Sequence, residues 1–383
     1  MHILAPRGWA PGHYELEFME KALTYLLEEA SQSPMKTIAE KVFDGSRISN
    51  EEGLWLYRHA DLGKLGILAN HVREEKNLDH TFFNRNFHFE PTNICIYNCQ
   101  FCSYRRSQND PDAWEYSLED LEEKIRDYQG QPVTEIHIVG GVHPHRDLHY
   151  YGRMLQLVKE LRPDIHIKAF TAIELDYMIR KAGLGIKEGL VRLKEYGLDS
   201  IPGGGAEIFN ETVRRRICHQ KSDANLWLEI HRTAHELGIP SNATMLYGHI
   251  ETFEDRIDHL DRLRRLQDET GGFSVFIPLK FKRENNRLYD IGEVSHLEDL
   301  RNYAVSRIFL DNFPHIKAYW PMIGKDLAQI SLAFGVDDID GTIDDSTRIY
   351  TMAGSDEQNP TLSTEELVQI IHDARRIPGD RNT

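Results

Sequence analysis

The feature that most constrains this 383-residue chain is an alternation that begins near Asn84, where short β-like runs are each followed by a longer, charged-faced helical stretch. The runs lie at 87–91, 135–139, 165–171, 198–201, 241–246, 273–279 and 316–320, with a weaker eighth at 336–339. Most connections are long enough for a helix, as parallel neighbours require. The pattern predicts an α/β fold built on a TIM-like (β/α)8 barrel, complete or incomplete, over residues 81–345.

Residues 1–80 carry helical periodicity instead, in Phe18, Ala22, Tyr25 and Leu26 and again in Leu65, Leu68, Ala69 and Val72, which predicts an N-terminal helical extension without strands. Residues 346–383 form a C-terminal extension with one helix over 365–374, started by the Ser363 N-cap and Glu366 of a capping box. Residues 378–383 read as a frayed tail.

The balance of 45 Lys+Arg against 61 Asp+Glu gives a formal charge of -16, which repels polyanions and speaks against nucleic acid as a partner. No run approaches the roughly 20 apolar residues of a bilayer span. The opening Met1-His2-Ile3-Leu4-Ala5-Pro6-Arg7 lacks the apolar core of a signal peptide, so the expectation is a cytoplasmic protein without a membrane partner.

Three of the 4 cysteines, Cys95, Cys99 and Cys102, fall within one short segment, the opposite of a disulfide framework. Their C-x3-C-x2-C order supplies three thiolates where structural zinc normally takes four Cys/His ligands. A cubane held by three cysteines leaves one iron open to a chelating small molecule. The alternatives are a zinc site completed by Cys218 or a histidine, or three thiols close by coincidence; Cys218, far downstream, reads more simply as a buried inert thiol. Tyr97, Phe101 and Tyr104 are placed to shield the segment, which follows the first strand run as a barrel's active-site loop would.

Three glycine-bearing strand ends suit a ligand that approaches the backbone closely. They are Gly140-Gly141 after the second run, Gly203-Gly204-Gly205-Ala206-Glu207 after the fourth, and Thr244 to Glu251, with Gly248 between, after the fifth. Period two then sets Asn86, His88 and Glu90, Glu135 and His137, His166 and Lys168, and Asn242 and Thr244 on the inward faces. A structural barrel fills its interior with branched aliphatics. A polar lumen therefore points to a polar ligand, and His88, His137 and Lys168, with Arg283 after the sixth run, are candidates to hold a carboxylated one.

The triad, with aromatic Phe101 just before its last cysteine, resembles the signature of the radical S-adenosylmethionine superfamily. That resemblance implies a [4Fe-4S] cluster on Cys95, Cys99 and Cys102 and S-adenosyl-L-methionine as second cofactor, with Tyr104, Gly140, Gly141, Glu207, Gly248 and Glu251 as cofactor-binding residues. Thr244 stands where the nucleoside-contacting motif usually has a glycine. Glu90-Pro91-Thr92-Asn93, Pro202 to Ile208, Thr244 to His249, and Gly271-Gly272-Phe273 leading into Phe276-Ile277-Pro278-Leu279 resemble one branch, the radical enzymes of futalosine-dependent menaquinone synthesis and their deazaflavin-forming relatives.

Within that branch, Ser241 to Thr244, Ile277 to Leu279 and His315 to Trp320 look more like the adenosylating synthases than the cyclases. The resemblance implies addition of a 5'-deoxyadenosyl radical to the alkene of 3-[(1-carboxyvinyl)oxy]benzoate, loss of bicarbonate or carbon dioxide, and 6-amino-6-deoxyfutalosine as product. It also implies an external electron donor such as flavodoxin or ferredoxin. His88, Glu90, His137, Lys168, Asn242 and Arg283 are the expected substrate-binding set, with no residue assigned as acid or base. The N-terminal helices are expected to help close one barrel end against water. The competing readings are a radical cyclase, a deazaflavin-synthase-like relative, and a non-catalytic iron-sulfur or zinc protein.

Overall fold

The computed structural model describes residues 34–344, 348–355, 358 and 360–381. The expected helix around Phe18 to Leu26 lies outside the described residues. Three helices open the described chain, α1 (Pro34–Phe43), α2 (Asn50–His59) and α3 (Leu62–Asn77). Ser49 and Glu52 form a capping box at the start of α2, and Asp61 caps α3 by accepting from the Lys64 amide.

The alternation follows as β1 (His80–Phe83), β2 (Asn86–Phe89), α4 (Leu118–Asp127), β3 (Glu135–Ile138), α5 (Leu148–Leu161), β4 (His166–Ala169), α6 (Ala172–Lys181), α7 (Ile186–Glu195), α8 (Glu211–Cys218) and α9 (Ala224–Glu236). The second half runs β5 (Ser241–Tyr247), α10 (Phe253–Thr270), β6 (Phe273–Lys280), α11 (His296–Phe309), β7 (His315–Ala318), α12 (Trp320–Ile323), α13 (Lys325–Ser331), β8 (Asp338–Ile339), β9 (Thr342–Asp344), α14 (Thr364–Asp373) and β10 (Ile377–Asp380). Ser363 and Glu366 form the expected capping box of α14.

The parallel pairings join β2 with β3, β3 with β4, β5 with β6, β6 with β7 and β7 with β8, then β8 with β1 and β9 with β2, while β4 and β5 are linked only through the single bridges of Ser200 and Ile201. The barrel is therefore closed, its first and last strands each broken into two pieces. Gly341, between β8 and β9, packs so tightly on Asn84 that a Cβ would overlap the Asn84 carbonyl, so this seam tolerates only glycine. Outward residues Phe87, Ile136, Ile167, Ala243, Phe276 and Ile316 are buried at 0%, as helix packing against the strands requires.

Three expectations need correction. The fourth run, 198–201, forms only single bridges, Ser200 with Lys168 and Ile201 with Ser241. Pro202 lacks an N–H for the ladder, and Gly203 lies against β5, where a Cβ would stand 2.6 Å from the Asn242 carbonyl oxygen. The N-terminal region is not strand-free at its end, because β1 starts at His80. The tail is not frayed throughout: Ile377 to Asp380 pair in parallel register with His80 to Phe83. Its Pro378 and Gly379 hide it from a pattern search, yet Pro is tolerated at a sheet edge, and β10 is the edge strand. No helix among the described residues is long and apolar enough to cross a membrane.

Candidate active site

The cysteine segment leaves the C-terminal end of β2 and is held by its own backbone. Thr92 donates its hydroxyl to the Trp114 carbonyl at 2.7 Å, and Asn93 both donates to the Asp112 carbonyl at 3.0 Å and accepts from the Trp114 amide at 2.8 Å. The Cys95 amide donates to the Arg106 carbonyl at 3.0 Å, and the Ile96 amide to the Val142 carbonyl at 3.0 Å. Tyr104 is buried with its hydroxyl donating to the Thr92 carbonyl at 3.0 Å, so this expected cofactor contact also braces the loop.

Gly140 and Gly141 let β3 meet this loop. A Cβ on Gly140 would stand 2.9 Å from the Thr92 carbonyl oxygen, and one on Gly141 would overlap the Ile94 carbonyl. Their amides are both engaged, Gly141 with the Thr92 carbonyl at 2.7 Å and Gly140 with the Glu174 carboxylate at 3.1 Å. Glu174 is a residue the sequence reading missed. Buried at the start of α6, it caps Thr171 and is pushed up to about 7 by burial, against the pull of those hydrogen bonds. Its T-x-x-E capping pattern marked a helix start but not a tie to Gly140.

All 4 cysteines are free thiols, Cys99 and Cys218 buried, Cys95 and Cys102 half-buried. Burial raises the Cys95, Cys99 and Cys218 thiols, the last to about 11, and the neighbouring Lys221 ammonium pulls each of the three back. Thiols this desolvated become thiolates when cationic metal compensates them. Among the described residues no three His, Cys, Asp or Glu groups converge to hold a single ion. Three thiols on one loop, with Cys95 and Cys99 under the influence of one ammonium that Phe101 covers, offer a set that suits a multi-iron cluster with one open iron, one ligand short of a structural zinc site.

Lys221 was also missed. Its ammonium meets the Glu207 carboxylate at 2.6 Å and lies 5.2 Å from the Phe101 ring centroid. Glu207 itself has a left-handed backbone at φ 48°, two residues after Gly205 at φ 87°. The Gly203 and Gly204 carbonyls accept from the Thr244 hydroxyl at 2.7 Å and the Trp227 indole at 3.3 Å. At the end of β5 the Glu251 carboxylate accepts from the Gly248 and His249 amides at 2.6 and 2.9 Å and pairs with Arg256 at 2.8 Å. Both carboxylates thus have protein partners already.

The period-two faces emerge as expected, and His88 and His137 meet edge to face with centroids 4.7 Å apart. Burial, then His88 and Lys168, press His137 down to about 3, so it is neutral at physiological pH. Its Nε2 is buried without a hydrogen-bond partner. The Asn86 amide lies 3.1 Å from the His88 ring, and Asn242 is buried on β5.

Lys168 departs from expectation. Its ammonium donates to Glu135 at 2.6 Å in a buried pair; burial raises the Glu135 carboxyl, but Lys168 and His166 outweigh it and hold it at about 2. Lys168 is therefore already neutralised and is not a free cation for a substrate. Period two puts both residues on inward faces, but their partnership across β3 and β4 comes only from the fold. Lys317, Asp338, Asp340 and Arg381, which no sequence motif marks, join the same network. Lys317 lies 3.1 Å from Asp340 and 3.2 Å from Asp338, while Arg381 meets Asp338 at 2.7 Å. Three cations thus face three carboxylates in the lumen, a balance that costs less than any unpaired charge.

Glu90 is buried at the mouth, and both its oxygens accept from the Arg348 amide, at 3.0 and 3.1 Å. Arg283 is exposed, apart from the lumen set. The loop that carries it folds over the cysteine segment: Ser103 donates to the Glu284 carbonyl at 2.6 Å and the Arg287 amide to the Gln100 carbonyl at 2.8 Å. The Glu284 amide in turn donates to the Ala353 carbonyl at 3.3 Å. Three segments thus enclose one mouth, at the strands' C-terminal ends, where barrel enzymes place their chemistry.

Residues 89–263 match the Radical SAM superfamily, and residues 270–383 the CofH/MqnC C-terminal region. The chain is similar to the aminodeoxyfutalosine synthase of Thermus thermophilus, 50% identical over 352 residues that cover 90% of this chain and 93% of that protein. It is similar to the aminodeoxyfutalosine synthase of Streptomyces coelicolor, 40% identical over 359 residues, 91% and 92% of the two chains. Of solved structures, methylornithine synthase shares the fold with a TM-score of 0.72 at 17% identity, over 89% of this chain and 97% of that one. With a three-cysteine loop at the mouth of a closed parallel barrel and likeness along nine-tenths of its length, the chain belongs to the radical SAM superfamily, in the branch that carries the CofH/MqnC C-terminal region.

Proposed function

We propose that the chain adds a 5'-deoxyadenosyl radical to the alkene of 3-[(1-carboxyvinyl)oxy]benzoate, giving 6-amino-6-deoxyfutalosine with loss of bicarbonate or carbon dioxide, in cytoplasmic menaquinone biosynthesis. The observation that carries this reading is the 50% identity with an aminodeoxyfutalosine synthase over 90% of the chain. The cofactors are a [4Fe-4S] cluster and S-adenosylmethionine, which together supply the adenosyl radical.

The chain's own residues bind, orient and exclude water. Cys95, Cys99 and Cys102 hold the cluster. Gly140, Gly141, Glu207, Gly248 and Glu251 shape the strand ends around S-adenosylmethionine, and Tyr104 keeps the cysteine loop against them. The two substrate carboxylates need donors, and His88 and His137 with Asn242 supply them where Lys168 is committed to Glu135. Glu90 fixes the segment at Arg348 over the mouth, and Arg283 on its exposed loop is the remaining candidate for a carboxylate arriving from solvent. The addition step itself transfers no proton, so no residue is assigned as acid or base.

Anaerobic reconstitution, then dithionite, S-adenosylmethionine and the enol ether, should consume the enol ether and place adenosine in the product. Release of free 5'-deoxyadenosine from S-adenosylmethionine, when a futalosine derivative is the substrate, would instead identify a cyclase. Zinc without iron after anaerobic purification would sink both.

A further inference from the structure

Cys99 sits beside a surface whose charge runs against the rest of the molecule. The chain carries a formal charge of -16, yet the backbone of Gln100 is gripped from two sides by arginine-bearing segments. Its amide donates to the Ile217 carbonyl at 2.7 Å, at the end of α8, and its carbonyl accepts from the Arg287 amide at 2.8 Å. Arg215 and Arg216, immediately before Ile217, are exposed, as is Arg287. With the Asn98 amide turned so that its oxygen faces Arg287, the guanidinium reaches it at 3.1 and 3.2 Å.

Among the described residues none of these three arginines pairs with a carboxylate. Of the acids nearest in sequence, Glu211 accepts from the Ala224 amide at 2.9 Å and the Glu284 carboxylate lies against Gly354, while Asp290, as near to Arg287 as Glu284 is, stands exposed. Tyr289, two residues beyond Arg287, is 69% exposed. Arginine and tyrosine are the residues most enriched where proteins dock.

We propose that Arg215, Arg216 and Arg287 form the docking surface for an acidic electron-carrier protein, seated over Asn98 and Gln100. This deepens the reading above and rests on it: a cluster on the triad must gain one electron, and this rim borders the loop that holds it. In the step, the carrier loses one electron and the cluster core gains it, with no bond or proton moved. Opposite charge steers such an encounter and makes it salt-sensitive. A carrier protein repelled by the chain's overall charge would need a local patch of this sign.

The test measures binding of oxidised flavodoxin and of an oxidised plant-type ferredoxin to the reconstituted protein by calorimetry, at low and high salt. The wild type should bind at least one of them, more weakly as salt rises. Arg215→Glu/Arg216→Glu should weaken that binding at least about tenfold, and adding Arg287→Glu further, with iron content unchanged. Cluster reduction by the reduced carrier should slow in parallel, while reduction by photoreduced deazariboflavin, a small uncharged donor, keeps its rate. Salt-sensitive binding that survives the charge reversal overturns the proposal, as does a wild type that binds neither carrier. A protein that takes up no iron would instead sink the cluster reading, a failure seen separately in the iron assay.

Discussion

Arg381 donates to the Asp338 carboxylate at 2.7 Å, so the last described residue of the chain reaches an acid on a barrel strand 43 positions earlier. It also donates to the Asn84 side-chain oxygen at 2.8 Å, and Asn84 in turn donates to Glu135, the partner of Lys168. The C-terminal residues thus support the charges of the lumen rather than trailing from it.

Removing that support should be costly. Arg381→Ala leaves Asp338, fully buried, with Lys317 alone, and should destabilise by about 3 kcal/mol. Urea unfolding midpoints of the two proteins check this; a change within a few tenths of a kcal/mol would show that Arg381 only decorates the surface.

The Lys168 pair separates a structural role from a substrate-holding one. Lys168→Met should cost about 3 kcal/mol by stranding Glu135, and Lys168→Met/Glu135→Gln should recover most of it. Were Lys168 a substrate anchor instead, the single change would raise KM while leaving unfolding untouched.

Glu174 predicts a pH dependence. Its folded value is raised from an ordinary 4.5 to about 7, so between those values the folded state holds the extra proton. Stability from this group is full below about 4.5 and falls as pH rises through about 7, by on the order of 3 kcal/mol. Glu135 runs the other way: held at about 2, its contribution is present above about 4.5 and lost as pH falls toward 2. Glu174→Gln should flatten the decline between about 4.5 and 7 in denaturant unfolding at a series of pH values. An unchanged slope would remove Glu174 from the account.

Gly141→Ala should disable the cysteine loop, because its Cβ meets the Ile94 backbone rather than a side chain that can swing aside. Iron uptake after reconstitution should fall as far as in Cys99→Ala. Cys218→Ala and Gly185→Ala, the latter with nothing within 4 Å of its Cβ, should load iron normally. Loss of the cluster on changing Cys218 would contradict three-ligand coordination.

Much of this site is legible in the sequence. The triad is local, its three thiols within eight residues, and the inward faces follow from a period of two, so His88, His137, Glu135 and Lys168 could be placed by counting. Partnerships could not be counted. Whether Lys168 meets a ligand or Glu135 depends on the register between β3 and β4, which sets His137 beside Lys168 and Glu135 beside His166. Lys221, Glu174 and Arg287 gain their meaning from neighbours that folding alone supplies.

Hydrophobic period, capping boxes and cysteine spacing are properties of short segments, and they determined the alternating fold, the helix starts and the cluster loop. The closed seam of β1, β2, β8 and β9, the added strand β10 and the balanced charges of the lumen join residues far apart in the chain. Only the tertiary structure decided those, because a buried charge or an open strand edge takes whichever partner the fold brings within reach.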